Sequence, residues 1–236
     1  MSRKKLIITS VVLALILLIG GILAYFTDVE TKTNKFKMGG ANITVTEPHF
    51  PGDENTPVDI VPGKEVSKDP IVTNVGDGEV YAFVEVTIPK ANVKIGSQTS
   101  PSEQLLFKTN YIADASGSAP VYAEGINPEW VLIRTTQNAA SGTTPASTTF
   151  VYAYGAKVGT SDEVTLTPLA KTEHTPAVFD SVTFAEVVED NATLAATSYE
   201  SIQGKDYNVV VTGYGIQTEG LETTDAGEIF DLAKGN

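Results

Sequence analysis

Apolar and polar positions alternate along most of this chain, and the alternation predicts strands. Asn42–Glu47 (NITVTE) places Ile43 and Val45 on one face, and Ser67–Val75 leads into a strand containing Ile71, Val72 and Val75. Val80–Ile88 carries the strongest pattern, with Val80, Ala82, Val84, Val86 and Ile88 sharing one face. Gln104–Phe107 and Trp130–Arg134 read as short apolar strands. Phe150–Tyr154 and Val164–Leu169 read as a hairpin around residues 155–162. Phe179–Val188 and Asn208–Ile216 complete the series. Turn chemistry separates these runs, at Pro48–Pro57, Val61-Pro62-Gly63 and Asn74–Gly78, and a Ser/Thr/Ala-rich loop is expected over Asn138–Thr149. Only two helices are predicted: Ala192–Glu200 behind Asn191, and an amphipathic tail over Thr224–Lys234. Many short strands with few helices predict an all-β fold, a jelly-roll or Greek-key sandwich with short peripheral helices over residues 41–236. An alternative is the same sandwich with an inserted subdomain around residues 96–149.

The N-terminus departs from this pattern. Arg3, Lys4 and Lys5 precede a run from Leu6 that meets no charge until Asp28. A basic start followed by an apolar stretch is the layout of an export signal, here residues 1–24. Gly20-Gly21 loosens the helix near its end and Ala24 offers a small residue for a cut behind it, or behind Tyr25. Ile22 occupies the position three before the first of these cuts, where a small residue is the rule, so an uncleaved anchor is the competing reading. Either way the body of the chain lies outside the membrane. Residues 25–40 follow, largely polar and without an apolar period of their own.

Charge narrows the partners. The chain has 16 basic against 29 acidic residues and a net charge of −13. Such a surface repels phosphates, and no basic patch with interleaved aromatics occurs, so nucleic acid is not an expected partner. There is no cysteine. That excludes thiol catalysis and cysteine-ligated metals, and leaves packing alone to stabilise the exported domain.

The catalytic inventory is thin. The two histidines, His49 and His174, lie in Pro-containing loops far apart in sequence and form no His-Glu-x-x-His helix. They read as exposed loop residues, and no catalytic residue, cofactor or metal site is assigned. Asp53-Glu54 with Asp59, Asp77 with Glu79, and Asp162-Glu163 could offer oxygens to calcium, but none has the spacing of a calcium loop. They read as solvated turn carboxylates. Tyr81/Phe83 and Tyr152/Tyr154 sit at alternate strand positions, as sheet-face residues do.

Three segments in order resemble the TasA/camelysin family of exported proteins of Gram-positive bacteria. Gly20-Gly21-Ile22-Leu23-Ala24-Tyr25-Phe26-Thr27-Asp28 is similar to the family's signal junction. Val61-Pro62-Gly63-Lys64 through Lys68-Asp69-Pro70 to Thr73-Asn74-Val75-Gly76 is similar to its P-G-x-x-x-x-K and N-x-G signature. Tyr214–Gly220 (YGIQTEG) is similar to its terminal strand. The resemblance implies processing by a SipW-type signal peptidase and secretion to the extracellular matrix or cell surface. It further implies a jelly-roll subunit of biofilm fibres, a homopolymer with an accessory matrix or anchoring protein as a further partner. In such fibres the freed N-terminal segment completes a sheet in the next subunit. Here the implied donor is residues 25–40, with Phe26, Phe36 and Met38 as pocket-fillers. The family also carries a metallo-endopeptidase label through camelysin, for which no metal-binding motif is found in this sequence.

Overall fold

The computed structural model describes residues 41–52, 58–114, 120–189 and 199–235. The signal segment, the junction at Ala24 and Tyr25, the donor segment with Phe26, Phe36 and Met38, and most of the helix expected over 192–200 lie outside these residues.

The fold is all-β and is organised by one long strand. Alternating apolar residues from Val80 continue past Ile88, because Pro89, Lys90 and Ala91 are also buried, so β4 runs Val80–Val93. Numbering the other strands in chain order, β1 is Ile43–Thr46, β2 Glu65–Ser67, β3 Ile71–Asn74, β5 Ser102–Leu105 and β6 Phe107–Asp114. β7 is Val121–Glu124, β8 Trp130–Asn138, β9 Ser147–Lys157, β10 Val164–Leu166, β11 Ser181–Phe184 and β12 Val210–Gln217. β4 pairs antiparallel with β12, with β9 and, at its C-terminal end, with β5. β8 and β10 join β9 to complete a six-stranded sheet. A second sheet runs β2-β11-β6-β7, and β1 with β3 forms a separate ribbon.

Ala82, Val84, Val86 and Ile88 of β4 share the principal core with Val66 (β2), Val72 (β3), Phe107 (β6) and Val182 and Phe184 (β11). The two sheets therefore enclose one apolar layer between them. The opposite face of β4 carries Phe83, which is fully buried in a second cluster with Val131, Val151, Ala153 and Val164. That face is closed by the predicted tail helix, α1 (Ala226–Lys234). Asp225 caps it by accepting from the Glu228 N–H at 2.9 Å, and Gly235 ends it in the left-handed conformation at φ 82°. Ile229 and Phe230 supply its apolar side, the Phe230 ring lying 5.7 Å from Phe83 and edge-on to Tyr214 at 5.4 Å.

Several boundaries differ from the sequence expectation, each for a packing reason. The apolar run Gln104–Phe107 splits in two at fully buried Leu106, whose N–H still donates to Pro89 O of β4 while its carbonyl accepts from the Ala185 N–H beside β11, so the chain passes there from one sheet to the other. Strands β8 and β9 invade the expected loop over 138–149, as Thr148 and Ser147 are buried against the neighbouring strand despite their polar composition. Phe179–Val188 is a strand only over Ser181–Phe184. The β6–β7 hairpin carries no clean alternation and was not legible in the pattern.

Truncating the helix anchor tests this description. Phe230→Ala is expected to lower unfolding stability by about 3–5 kcal/mol, read from the shift in denaturant midpoint at unchanged slope.

Candidate assembly site

Two of the three segments that carried the family resemblance are joined through β1. In the second, Gly63 (φ 76°) makes the turn into β2 and its N–H donates to Phe184 O at 2.9 Å. Asn74, fully buried at the end of β3, donates to Gly78 O and Leu169 O, both at 2.8 Å, and accepts from the Gly76 N–H at 2.9 Å. One side chain thus closes the β3–β4 turn, which accounts for Asn at that position and not an apolar residue. The third segment begins in β12. β1, paired with β3 from Ile43↔Asn74 to Thr46↔Ile71, lies against β12 at two glycines. A Cβ on Gly213 would stand 2.5 Å from Val45 Cγ2, and one on Gly215 2.7 Å from Ile43 Cγ2. Only a strand without side chains at both positions lets β1 sit this close.

The chain just after β1 is held by charge. Lys68 and Asp69, between β2 and β3, are buried. Lys68 Nζ donates to both Glu47 oxygens at 2.7 and 2.8 Å and lies 5.0 Å from the Phe50 ring centre. Asp69 accepts from the His49 N–H at 2.9 Å and pairs with His49 Nδ1 at 2.6 Å. Both buried charges are therefore partnered, as burial demands. The lysine and aspartate of the Lys68-Asp69-Pro70 motif thus hold the turn that follows β1.

β12 is also gripped on its other face. Tyr214 Oη donates to Glu85 Oε2 at 2.8 Å, and Lys234 of α1 reaches Glu85 Oε1 at 2.6 Å. Arg134 joins α1 to β8 through Asp231, at 2.6 and 2.9 Å. Burial, reinforced by the hydrogen bond to Glu85 and by its charge, pushes the Tyr214 hydroxyl up to about 12.

With both faces covered, the edges of β12 decide what it can still bind. Thr218 N–H donates to Glu79 O, and Val80 instead exchanges both its bonds with Leu169 on the far side. In an antiparallel ladder the direction alternates. Residues 210, 212, 214 and 216 therefore point their backbone groups at β4, while Val211, Gly213, Gly215 and Gln217 point theirs outward. Among the described residues no strand pairs with that outer edge.

The two loop histidines do not converge. His49 is committed to Asp69, and His174 Nδ1 lies 3.1 Å from Thr175 O, beside a single bridge to Thr73. Among the described residues no three His, Asp or Glu side chains gather where they could hold a metal ion. Of the acidic pairs, Asp59 lends its backbone carbonyl to Lys64 and Asp77 pairs with Lys171 at 2.8 Å; Asp53-Glu54 lies outside the described residues. Tyr81 and Phe83 line the helix-side cluster, and Tyr152 and Tyr154 pack on the principal core.

Residues 3–95 match the family model described as camelysin metallo-endopeptidase. Over that segment the chain is similar to the camelysin family. The match includes β1, β2, β3, the Lys68–Asp69 anchor and all of β4. No curated protein matches the chain, and no solved structure does. The family's printed name implies a metal. The described residues do not fit one, since the His49–Asp69 pair is completed by no third ligand, and no catalytic step is drawn through a metal here.

The glycine seat gives a direct test. Gly215→Val is expected to destabilise the fold by about 1–3 kcal/mol, whereas Gly78→Ala, whose added Cβ meets only the Gln217 amide nitrogen at 3.8 Å, leaves the denaturant midpoint unchanged. A second test follows from Tyr214. A raised tyrosine stabilises the fold while protonated, fully below its ordinary value near 10, and loses that contribution as pH rises from about 10 to about 12. In a spectrophotometric titration, Tyr214→Phe should remove one tyrosine from the fraction that ionises late.

Proposed function

We propose that this protein is a secreted structural subunit of extracellular fibres. After removal of residues 1–24, residues 25–38 of one subunit pair with a sheet of the next, and repetition builds a filament. Donation of this kind is head-to-tail and does not close on itself, so its product is open-ended. Backbone pairing provides the affinity, which suits a donor as polar as this one, and alternate side chains such as Phe26, Phe36 and Met38 set the register.

The observation that carries this reading is the placement of β1. The strand immediately downstream of the donor segment is seated on Gly213 and Gly215 of β12 and is tied down behind by Lys68 and Asp69. β1 thereby lies over the rim of the six-stranded sheet. The camelysin-family match over 3–95 supports the same reading. A peptidase reading draws on the family's printed name alone, and casein cleavage that depends on added zinc and disappears in His49→Ala or His174→Ala would favour it.

Electron microscopy and sedimentation of the purified chain lacking residues 1–24 test the fibre reading. Filaments are expected from that form, and a folded monomer from a version that begins at residue 39. Filaments from both forms, or from neither, would contradict it.

A further inference from the structure

Among the described residues two lysines are buried, Lys68 and Lys90, and they are held in different ways. Lys68 donates to both oxygens of one carboxylate, Glu47, as burial asks of a cation. Lys90, on β4, divides its bonds. Its Nζ donates to Glu103 Oε1 of β5 at 2.6 Å and to Gln137 Oε1 of β8 at 2.7 Å. The same Gln137 oxygen accepts from Thr148 Oγ1 of β9 at 2.9 Å. An amine, a carboxylate and a carboxamide thus converge, and the carbonyl oxygen of the carboxamide already carries a second donor. The register explains the meeting. Thr148 pairs with Ile88 of β4 on one side and with Gln137 on the other, and Lys90 follows Ile88 on the same face of β4. The lysine therefore reaches Gln137 over β9. Lys90 and Thr148 are buried, whereas Glu103 and Gln137 open to solvent.

We infer that Lys90 and Gln137 join in an isopeptide bond within one chain, with Glu103 moving the protons and Thr148 holding the carbonyl oxygen. Lys90 Nζ passes a proton to Glu103 and attacks Gln137 Cδ. Negative charge gathers on Oε1, where the Thr148 hydroxyl already donates. The Cδ–Nε2 bond then breaks as the amide nitrogen takes up protons. Nζ sheds two protons in all, Glu103 relays them to that nitrogen, and it departs as ammonium into the solvent that Gln137 faces. One carbon–nitrogen bond forms and one breaks, nothing is oxidised, and no co-reactant is required. An amide resists amines in water, but the fold holds nucleophile and carbonyl together and so removes the cost of bringing them there. The product suits a chain with no cysteine. It clasps β4 to β8 across β9 and closes the loop between residues 90 and 137, the constraint that a disulfide supplies elsewhere. It holds whether or not the chain polymerises.

Mass spectrometry of the purified chain, unfolded in denaturant, tests this without any substitution. The chain is expected to be lighter than its sequence by one ammonia. Trypsin is expected to leave Lys90 uncut and to release residues 69–94 joined to residues 135–157. Lys90→Arg and Gln137→Ala should each show the full sequence mass and no joined peptide. Glu103→Gln and Thr148→Val keep the amine and the carboxamide, and the joined fraction should grow more slowly after synthesis by about tenfold or more. Thr148→Ser, which keeps the hydroxyl, should restore the rate. Full sequence mass in the unaltered chain, with cleavage after Lys90, would overturn the bond and leave an ion pair beside a hydrogen-bonded amide. Ammonia lost without the joined peptide would overturn it as well, since the loss then belongs to another amide. A joined peptide that forms at the same rate in Glu103→Gln and Thr148→Val would overturn the roles given to those two residues.

Discussion

The close approach of β1 to β12 is the constraint on which the rest depends. Ile43 and Val45 fill the space that side chains on Gly213 and Gly215 would occupy, at separations no Cβ could tolerate. That single contact brings the first strand of the described chain onto the last one. It places the β1–β3 ribbon over the rim of the six-stranded sheet, with Val72 of β3 also reaching Gly213. The opposite face of β12 is closed by α1 through Phe230 and the Tyr214–Glu85–Lys234 chain. β12 is thus paired on one side and covered above and below, and among the described residues no strand pairs with its outer edge.

The buried charges near β1 serve the same geometry. An ion pair inside a protein is seldom retained for stability alone, since its desolvation cost rivals its Coulomb gain. Here Lys68 holds Glu47 and Asp69 holds His49, so the turn that leaves β1 has one arrangement. The residues that looked most like chemistry in the sequence are thereby accounted for structurally. His49 serves as the partner of a buried aspartate, and His174 stands apart from it beside β3.

Much of the fold was legible because its signal is local. The alternation from Val80 to Ile88 announced β4, Ile43 and Val45 announced β1, and the amphipathic tail announced α1. The misses share a cause. Ser147 and Thr148 became buried strand because of what lies across from them, and a polar composition cannot register a neighbour. Leu106 divides its backbone bonds between Pro89 of β4 and Ala185 beside β11, a change of sheet that no window of sequence contains. The candidate site was half visible. The Tyr214–Gly220 segment drew notice as a terminal strand, but the purpose of Gly213 and Gly215 appears only when β1, more than 160 residues earlier, is laid against them. The outer edge of β12, unpaired among the described residues, could not be read at all, because pairing is defined by what the neighbours do.

Amide hydrogen exchange along β12 probes the central claim most directly. In the folded body beginning at residue 39, the amides of Val211, Gly213 and Gly215 and of Gln217 should exchange quickly, while those of Thr212, Tyr214 and Ile216, bonded to β4, stay protected. Outward and inward amides that exchange alike would contradict the account.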